Sequence, residues 1–348
     1  QPTAVTIFLT MKIAVFGLGF MGSTHLKAIK NIPQAELVAV ADTDAKRLSG
    51  DLSEIQGNIG GPGEKLDFSK LRRSSDWREA VKDPEIEAVD VCFPTVFHSD
   101  VAIGALQAGK HVLVEKPMGL TAEAADAMVR EAEKSGKILM SAQVLRFFPA
   151  YSAMFDTVKS GSVGPVRSAM FRRRCCAPEW GPWIADKKSS GGGVFDLLIH
   201  DIDFCLHMFG KPEAVSAVGY EDLVGGIDWI TAEFFYPNVG GVVVSGGWHH
   251  RKSFPFSMEF SVLADGGSFE FHSASTPLTL FRANGEKETV PVVEKDPYQA
   301  EIEYFVDCCA QGKQPEFCPP RESADSVKLA LLAVESREKK GEKLPCRF

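Results

Sequence analysis

The sequence predicts an α/β chain in two parts: an N-terminal doubly wound parallel sheet, and a C-terminal α+β domain with a largely antiparallel, open sheet. Three observations predict it. Short apolar strands alternate with helical segments from Lys12 to Gln143, the rhythm of parallel βαβ units. The first strand runs into a glycine turn that opens a helix. From about residue 144 the rhythm changes to successive strands separated by turn residues, which suits antiparallel pairing. A chain of 348 residues is long enough for two cores. The domains are placed at 11–143 and 144–348, with the last helix, about 321–341, positioned to pack back on the first domain.

The first domain opens with "KIAVFGLGFMGSTHLKAIKN" (12–31), a β-run, a glycine turn and a helical pattern. Gly17, Gly19 and Gly22 form G-x-G-x-x-G in the strand-to-helix context that a dinucleotide fingerprint requires. Gly17 allows the tight turn, Gly19 admits a pyrophosphate close to the backbone, and Gly22 lets helix and strand pack closely. Phe20 and Met21 sit at the helix start, where free N–H groups favour phosphate. The second strand, "ELVAVAD" (36–42), ends in Asp42, twenty residues beyond Gly22. An acid there accepts hydrogen bonds from a ribose and repels a 2′-phosphate, so the cofactor reads as NAD over NADP.

Residues 49–71 are rich in Gly and Asp, lack a P-loop pattern and read as a surface insertion. Strands at 87–94, 110–117 and 137–143 then alternate with helices at 98–109 and 121–136, the second with Thr121 as cap and Gly136 as stop. Ligands in such sheets bind beyond the carboxyl ends of the strands. Pro94, Thr95 and His98 after one strand, and Glu115 and Lys116 after another, are therefore cofactor candidates. Lys116 has two readings: contact with a nicotinamide ribose or substrate hydroxyl, or pairing with its neighbour Glu115.

In the second domain a strand-like "PVRSAMFRRR" (165–174) leads through a tryptophan-bearing loop to "GGGVFDLLIHDID" (191–203). Asp196, His200 and Asp203 are four and three residues apart, so an α-helix stacks them on one face. Such a stripe can be a metal site, a catalytic base with its orienting partner, or ordinary polar surface. The glycines before it would let the chain run close to a bound ligand. Five β-segments follow between 213 and 273, and helices at 296–312 and 321–341 close the chain. Arg146, Trp183, His249 and His250 are weaker candidates for meeting substrate hydroxyls. Arg172 and Arg174 share a strand face that either attracts an anion or faces solvent.

Composition narrows the function. The net charge is −8, and the longest basic tract is the three arginines at 172–174, which argues against nucleic-acid binding. No segment is long and apolar enough to span a membrane, and the expected location is cytoplasmic. The eight cysteines include no C-x-x-C and read as reduced thiols rather than a disulfide frame or zinc set. No metal is expected. Met11 reads as the start, with residues 1–10 an upstream extension. The open sheet face of the second domain suggests a homodimer or homotetramer.

Four motifs in order carry a resemblance. They are "GLGFMG", "AGKHVLVEKP" (108–117), "GGGVFDLLIHDID", and "EIEYFVDCCAQGKQP" followed by a helix ending in "ESREKKGEKL". Together they make the chain resemble the Gfo/Idh/MocA oxidoreductases from Lys12 to about Leu344. The resemblance implies an NAD-binding Rossmann domain and a C-terminal sheet domain. It carries the family's catalytic Lys onto Lys116 and its D-x-x-x-H pair onto Asp196 and His200. It implies oxidation of a secondary hydroxyl on a sugar, sugar acid or inositol-like cyclitol.

That chemistry removes a hydride from carbon and a proton from oxygen. An imidazole suits the proton near neutral pH, which gives His200 the role of base. Lys116 would steady the developing alkoxide. Asp196 would orient His200 or bind a neighbouring hydroxyl, and Asp203 reads as scaffold. Two alternatives stay open on the same fold: an NAD-dependent glycosidase that oxidises transiently, and a non-catalytic dinucleotide-sensing regulator.

Overall fold

The structure is a computed structural model and describes residues 10–57, 63–179 and 182–348. The proposed upstream extension at 1–10 lies outside these residues except for Thr10, as does the middle of the 49–71 insertion. Two compact units are present. The first comprises the described residues to Glu115, with Asp126–Ala142 and Tyr298–Pro320; the second comprises Lys116–Ala125, Gln143–Pro297 and Arg321–Phe348.

In the first unit β1 (Met11–Phe16), α1 (Phe20–Ile29), β2 (Ala35–Ala41), α2 (Ala45–Leu48), β3 (Arg72–Ser74), α3 (Trp77–Ala80), β4 (Ala88–Val91), α4 (His98–Gln107), β5 (His111–Glu115), α5 (Ala122–Ser135) and β6 (Leu139–Ala142) follow one another. All sheet pairs are parallel, in the order β3-β2-β1-β4-β5-β6. The central strands β4 and β5 are buried along nearly their whole length, which is why they read as apolar runs rather than alternating ones. Strand order reverses between β1 and β4, the position where doubly wound sheets open a crevice for ligands. The edge strand β3 escaped the sequence reading because "RRS" has no apolar signal; backbone pairing with β2 alone makes it a strand.

The second unit contains α6 (Pro149–Lys159), β7 (Val166–Cys175), α7 (Lys187–Ser190), a π-helical turn (Val194–Leu198) continuing into α8 (Ile199–Phe209), then β8 (Ala214–Asp222), β9 (Ile227–Tyr236), β10 (Val239–Trp248), β11 (Ser257–Ala264), β12 (Gly267–His272), β13 (Thr276–Arg282) and β14 (Lys287–Thr289). The helix α9 (Pro297–Gln311) belongs chiefly to the first unit, whereas α10 (Pro320–Glu338) and β15 (Leu344–Pro345) belong to the second. The nine strands run β14-β13-β12-β11-β7-β10-β9-β8-β15. Every pair is antiparallel except β7 with β10. One face is covered: Tyr151 of α6 meets Phe204 of α8 at 5.1 Å and Phe260 of β11 at 4.8 Å between ring centroids, both edge-on. On the other face Met170, Val218 and Leu263 are about half exposed.

One placement departs from the sequence reading: the helix at 296–312, placed within 144–348, groups with the first unit, while the last helix groups with the second. Arg337 of α10 donates to Asp228 on β9 and to Glu221 on β8, a set of partners spread over the chain that no local pattern reveals. It is α9 that joins the first unit. All eight cysteines are unbridged.

The first unit contains a buried ionic cluster. His25 of α1 places Nδ1 2.8 Å from Asp90 Oδ2, and Nε2 lies 3.0 Å from Glu115 Oε1 and 3.8 Å from Glu301 Oε1. Cys92 Sγ lies 3.5 Å from Nδ1. Burial by itself would lower the imidazole pKa, but Asp90 and Cys92 hold it well above its ordinary value. A protonated ring thus faces carboxylates from β4, β5 and α9, as buried acids require a cation. These donor atoms are also close enough together to hold a metal ion, although the imidazolium proton occupies the same nitrogens. Replacing His25 by Leu strands the acids, and the expected cost is about 3–5 kcal/mol. Urea unfolding followed by circular dichroism measures this; a change below about 1 kcal/mol would show that the cluster does not hold the unit together.

Candidate active site

The dinucleotide signature folds into a cradle in the first unit. β1 ends at Phe16, and Gly17 has φ +95°, a conformation that L side chains rarely adopt. A Cβ there would lie 2.6 Å from the Cys92 carbonyl carbon, so the loop runs against the end of β4. At Gly22 a Cβ would lie 1.9 Å from the Gly17 carbonyl oxygen, which brings the first turn of α1 onto the loop. Gly19 differs: a Cβ there would meet nothing within 4 Å. Protein packing explains the first and third glycines, whereas the second faces open space. The first turn of α1 carries no acidic residue and its N-cap makes no side-chain hydrogen bond. This arrangement fits a pyrophosphate.

Asp42 follows β2 and is buried. Its Oδ2 accepts from Leu18 N at 2.6 Å and its Oδ1 from Asp44 N at 2.8 Å. The acid therefore pins the glycine loop to the end of β2, and each oxygen retains acceptor capacity for a ribose hydroxyl. Arg47 lies 3.7 Å from Oδ2. Phe20 and Met21 are partly exposed in the first turn of α1, and the Phe20 ring fills the space beside Gly57. Pro94 and Thr95 form the loop that leaves β4. Two expected cofactor contacts are corrected. His98 is buried with Nε2 2.8 Å from the Phe93 carbonyl oxygen, so it braces that loop from inside. Glu115 is buried against His25, because a carboxylate at the last position of a central strand needs an internal cation.

In the second unit Lys116, Asp196 and His200 are all partly exposed. Lys116 Nζ donates to the Asp196 carbonyl oxygen at 2.6 Å and lies 3.9 Å from its Oδ1. Lys116 therefore turns its ammonium toward Asp196. Trp248, fully buried at the end of β10, donates from Nε1 to Asp196 Oδ2 at 3.2 Å. Burial holds the His200 imidazole well below its ordinary pKa, and the Lys116 and Arg173 cations push the same way. The ring is thus neutral near pH 7. Its Nδ1 has no hydrogen-bond partner among the described residues.

The expected three-residue stripe divides. Asp196 lies in the π turn and His200 in α8, and the wider turn interrupts the three-and-four spacing of an α-helix. Asp203 is buried and takes a two-point ion pair from Arg146, at 2.7 and 2.8 Å. Arg146 also donates to Glu322 at 2.7 Å. Arg146 is itself fully buried, so its expected contact with substrate hydroxyls is corrected: the guanidinium neutralises Asp203. His249 is partly exposed, and its ring lies tilted 5.0 Å from that of Trp229, a neighbour that strand alternation turns away from the face where Asp228 lies. Trp248, one residue earlier, is the one that meets Asp196. His250 stacks on Phe254, while Arg172 and Arg174 pair with Glu259 on β11. Trp183 packs beside Trp248, Leu197 and Ile184 and stays a substrate candidate. Trp248 went unread because nothing in "GWHH" tells which of its residues points inward.

Comparison with known proteins agrees with this architecture. Residues 11–143 match an oxidoreductase family with an NAD-binding Rossmann fold, and residues 151–270 match the GFO/IDH/MocA C-terminal domain. The chain belongs to the Gfo/Idh/MocA oxidoreductase family. Myo-inositol 2-dehydrogenase of Thermotoga maritima is 28% identical over 92% of this chain and 93% of its own. Trans-1,2-dihydrobenzene-1,2-diol dehydrogenase of Mus musculus is 28% identical over 97% and 99%. A levoglucosan dehydrogenase solved with NADH and L-sorbose superposes with a TM-score of 0.83 at 20% identity, over 97% of this chain and 99% of that one. Family membership makes the protein an NAD-dependent dehydrogenase.

The three glycines are separable by experiment. Gly19→Ala should leave the melting temperature of the cofactor-free protein essentially unchanged while weakening NADH binding by about tenfold or more, a loss of about 1.4 kcal/mol. Gly22→Ala should lower the melting temperature itself. Calorimetry and NADH fluorescence titration read the two effects, and equal behaviour of both variants would contradict this assignment.

Proposed function

We propose that this dehydrogenase oxidises a secondary hydroxyl of a sugar, sugar acid or cyclitol, with His200 as the base and Lys116 assisting. The observation that carries the reading is the grouping of a lysine cation, an oriented carboxylate and a neutral imidazole around one turn of helix. Its relatives named inositol and dihydrodiol dehydrogenases support a cyclic polyol or diol.

Gly17, Gly19, Gly22 and Asp42 would hold NAD, which would supply the hydride acceptor. The chain's own residues manage the proton and the charge. His200, held neutral, can take the hydroxyl proton. Lys116 donates a hydrogen bond to the same oxygen as negative charge grows there. Asp196, held by Trp248, keeps Lys116 in place and offers a carboxylate oxygen to a neighbouring hydroxyl. Trp183 supplies an apolar surface for a ring.

His200→Asn should lower kcat by about 10²- to 10⁴-fold while NADH binding stays within twofold of the parent (about 0.4 kcal/mol). In the parent, the acid limb of kcat/KM should lie below about pH 6.5, because the folded protein resists protonation of His200. A panel of polyols, aldoses and sugar acids assayed by NADH absorbance supplies the substrate. Undiminished turnover in His200→Asn would overturn the assignment.

We also place a self-association surface on the open face of the second sheet, where Met170, Val218 and Leu263 are about half exposed. Introducing charge by Met170→Glu with Leu263→Glu should shift the species seen by light scattering toward monomer, and an unaltered mass would reject this surface.

A further inference from the structure

The buried ion pair between Asp228 and Arg337 lies outside the groups assigned above. We propose that it is a positioning device that holds the segment bearing Asp196 and His200; its functional meaning rests on the reading of those two residues as the proton-handling pair.

The argument begins with one rung of the second sheet. Asp228 on β9 pairs directly with Trp248 on β10. From that rung both side chains reach the same segment. Asp228 Oδ2 accepts from the backbone N of Val194, the first residue of the π turn, at 3.4 Å. Trp248 Nε1 donates to Asp196 Oδ2, two residues on, at 3.2 Å. The start of the turn and its carboxylate are thus referred to a single cross-strand pair.

The glycines are explained by the same rung. Gly191 and Gly192 have φ +77° and +79°. A Cβ on Gly192 would lie 2.4 Å from Asp228 Oδ2, and one on Gly193 would lie 2.7 Å from the Asp228 carbonyl oxygen and 3.0 Å from Trp248. The chain is bare there because it lies against Asp228 and Trp248. That corrects the expectation that these glycines make room for a ligand.

Asp228 is in turn held from α10. Arg337 NH1 donates to Asp228 Oδ1 and, at 3.3 Å, to the Trp229 carbonyl oxygen, while NH2 donates to Glu221 at 2.7 Å. Glu221 also takes Lys187 of α7 at 2.9 and 3.0 Å. The stretch from Lys187 to Val194 is therefore gripped at both ends by a network that converges on Arg337. Burial pushes the Asp228 carboxyl above its ordinary pKa and Arg337 opposes that shift, so the carboxylate form depends on its partner. Neither Asp228 nor Arg337 is assigned any contact with substrate.

The test uses the whole chain. Asp228→Ala should lower kcat by about 10- to 100-fold, the scale expected for misplaced catalytic groups, with the KM for NAD unchanged. In the cofactor-free protein it should also shift the Trp248 indole Nε1–H resonance, assigned by comparison with Trp248→Phe. Asp228→Asn keeps an acceptor for Val194 N, and with Arg337→Gln in the same chain no charge is left unpaired; this double variant should recover most of both signals. Should Asp228→Ala fail to fold, Glu221→Gln, at a partly exposed site, should show a smaller fall in kcat with the same resonance shift. An unmoved resonance and unchanged kcat in the folded variants would overturn the proposal. The catalytic reading fails separately, through normal turnover in His200→Asn, and that outcome leaves the resonance shift standing.

Discussion

Acidic side chains taken out of water require a cation or a set of donors, and the second unit is arranged around that requirement. Asp201 is met by Arg173 at 2.7 and 3.2 Å, Asp203 by Arg146 at 2.7 and 2.8 Å, and Asp228 by Arg337. Each arginine comes from a different element: β7, the turn before α6, and α10. Through these pairs Arg173 ties α8 to β7, Arg146 ties α8 to the turn before α6, and Arg337 holds the β9 acid that accepts from the start of the π turn. Breaking one would leave a buried charge unpaired, which costs more than an exposed pair ever contributes.

The same arrangement separates scaffold from chemistry. Residues 196 to 203 carry three acids and a histidine. Asp201 and Asp203 are fully enclosed with arginines. Asp196 and His200 remain partly exposed, with Lys116 in attendance. Lys116 and Arg173 then add to burial in keeping His200 unprotonated, so the cations that stabilise the scaffold and the site also set the state of the imidazole. In the first unit a comparable division holds. The His25 cluster ties α1, β4, β5 and α9 together internally, and the start of α1 is left to meet phosphate.

Much of the fold was legible because its signals are local. A glycine turn between an apolar strand and a helix, an acid at the end of the next strand, and alternating elements to residue 143 are periodicities that one can count. Misses occurred where the signal is tertiary. β3 is a strand only because β2 pairs with it. α6 begins at Pro149 after two phenylalanines, with no polar capping residue to mark its start. β13 and β14 extend the sheet beyond the segments marked as strands. The parallel β7–β10 pair is invisible to a rule that reads short turns as antiparallel neighbours. Arg146 reads as a substrate candidate in the sequence because residue type does not disclose which way a side chain points.

By itself the sequence determined the order of elements, the dinucleotide motif, and the identity of Lys116, Asp196 and His200 as residues of interest, since all of these rest on spacing along the chain. Tertiary structure decided what each polar group faces. It buried His98, Glu115, Arg146 and Asp203 among internal partners, turned Lys116 to Asp196, brought Trp248 to the same carboxylate, and set Asp228 against the glycines at 191–193. The physical reason is that burial and charge pairing depend on contacts between residues as far apart as Lys116 and Asp196, or Asp228 and Arg337. No local period encodes those contacts; they exist only once the sheet has placed its strands.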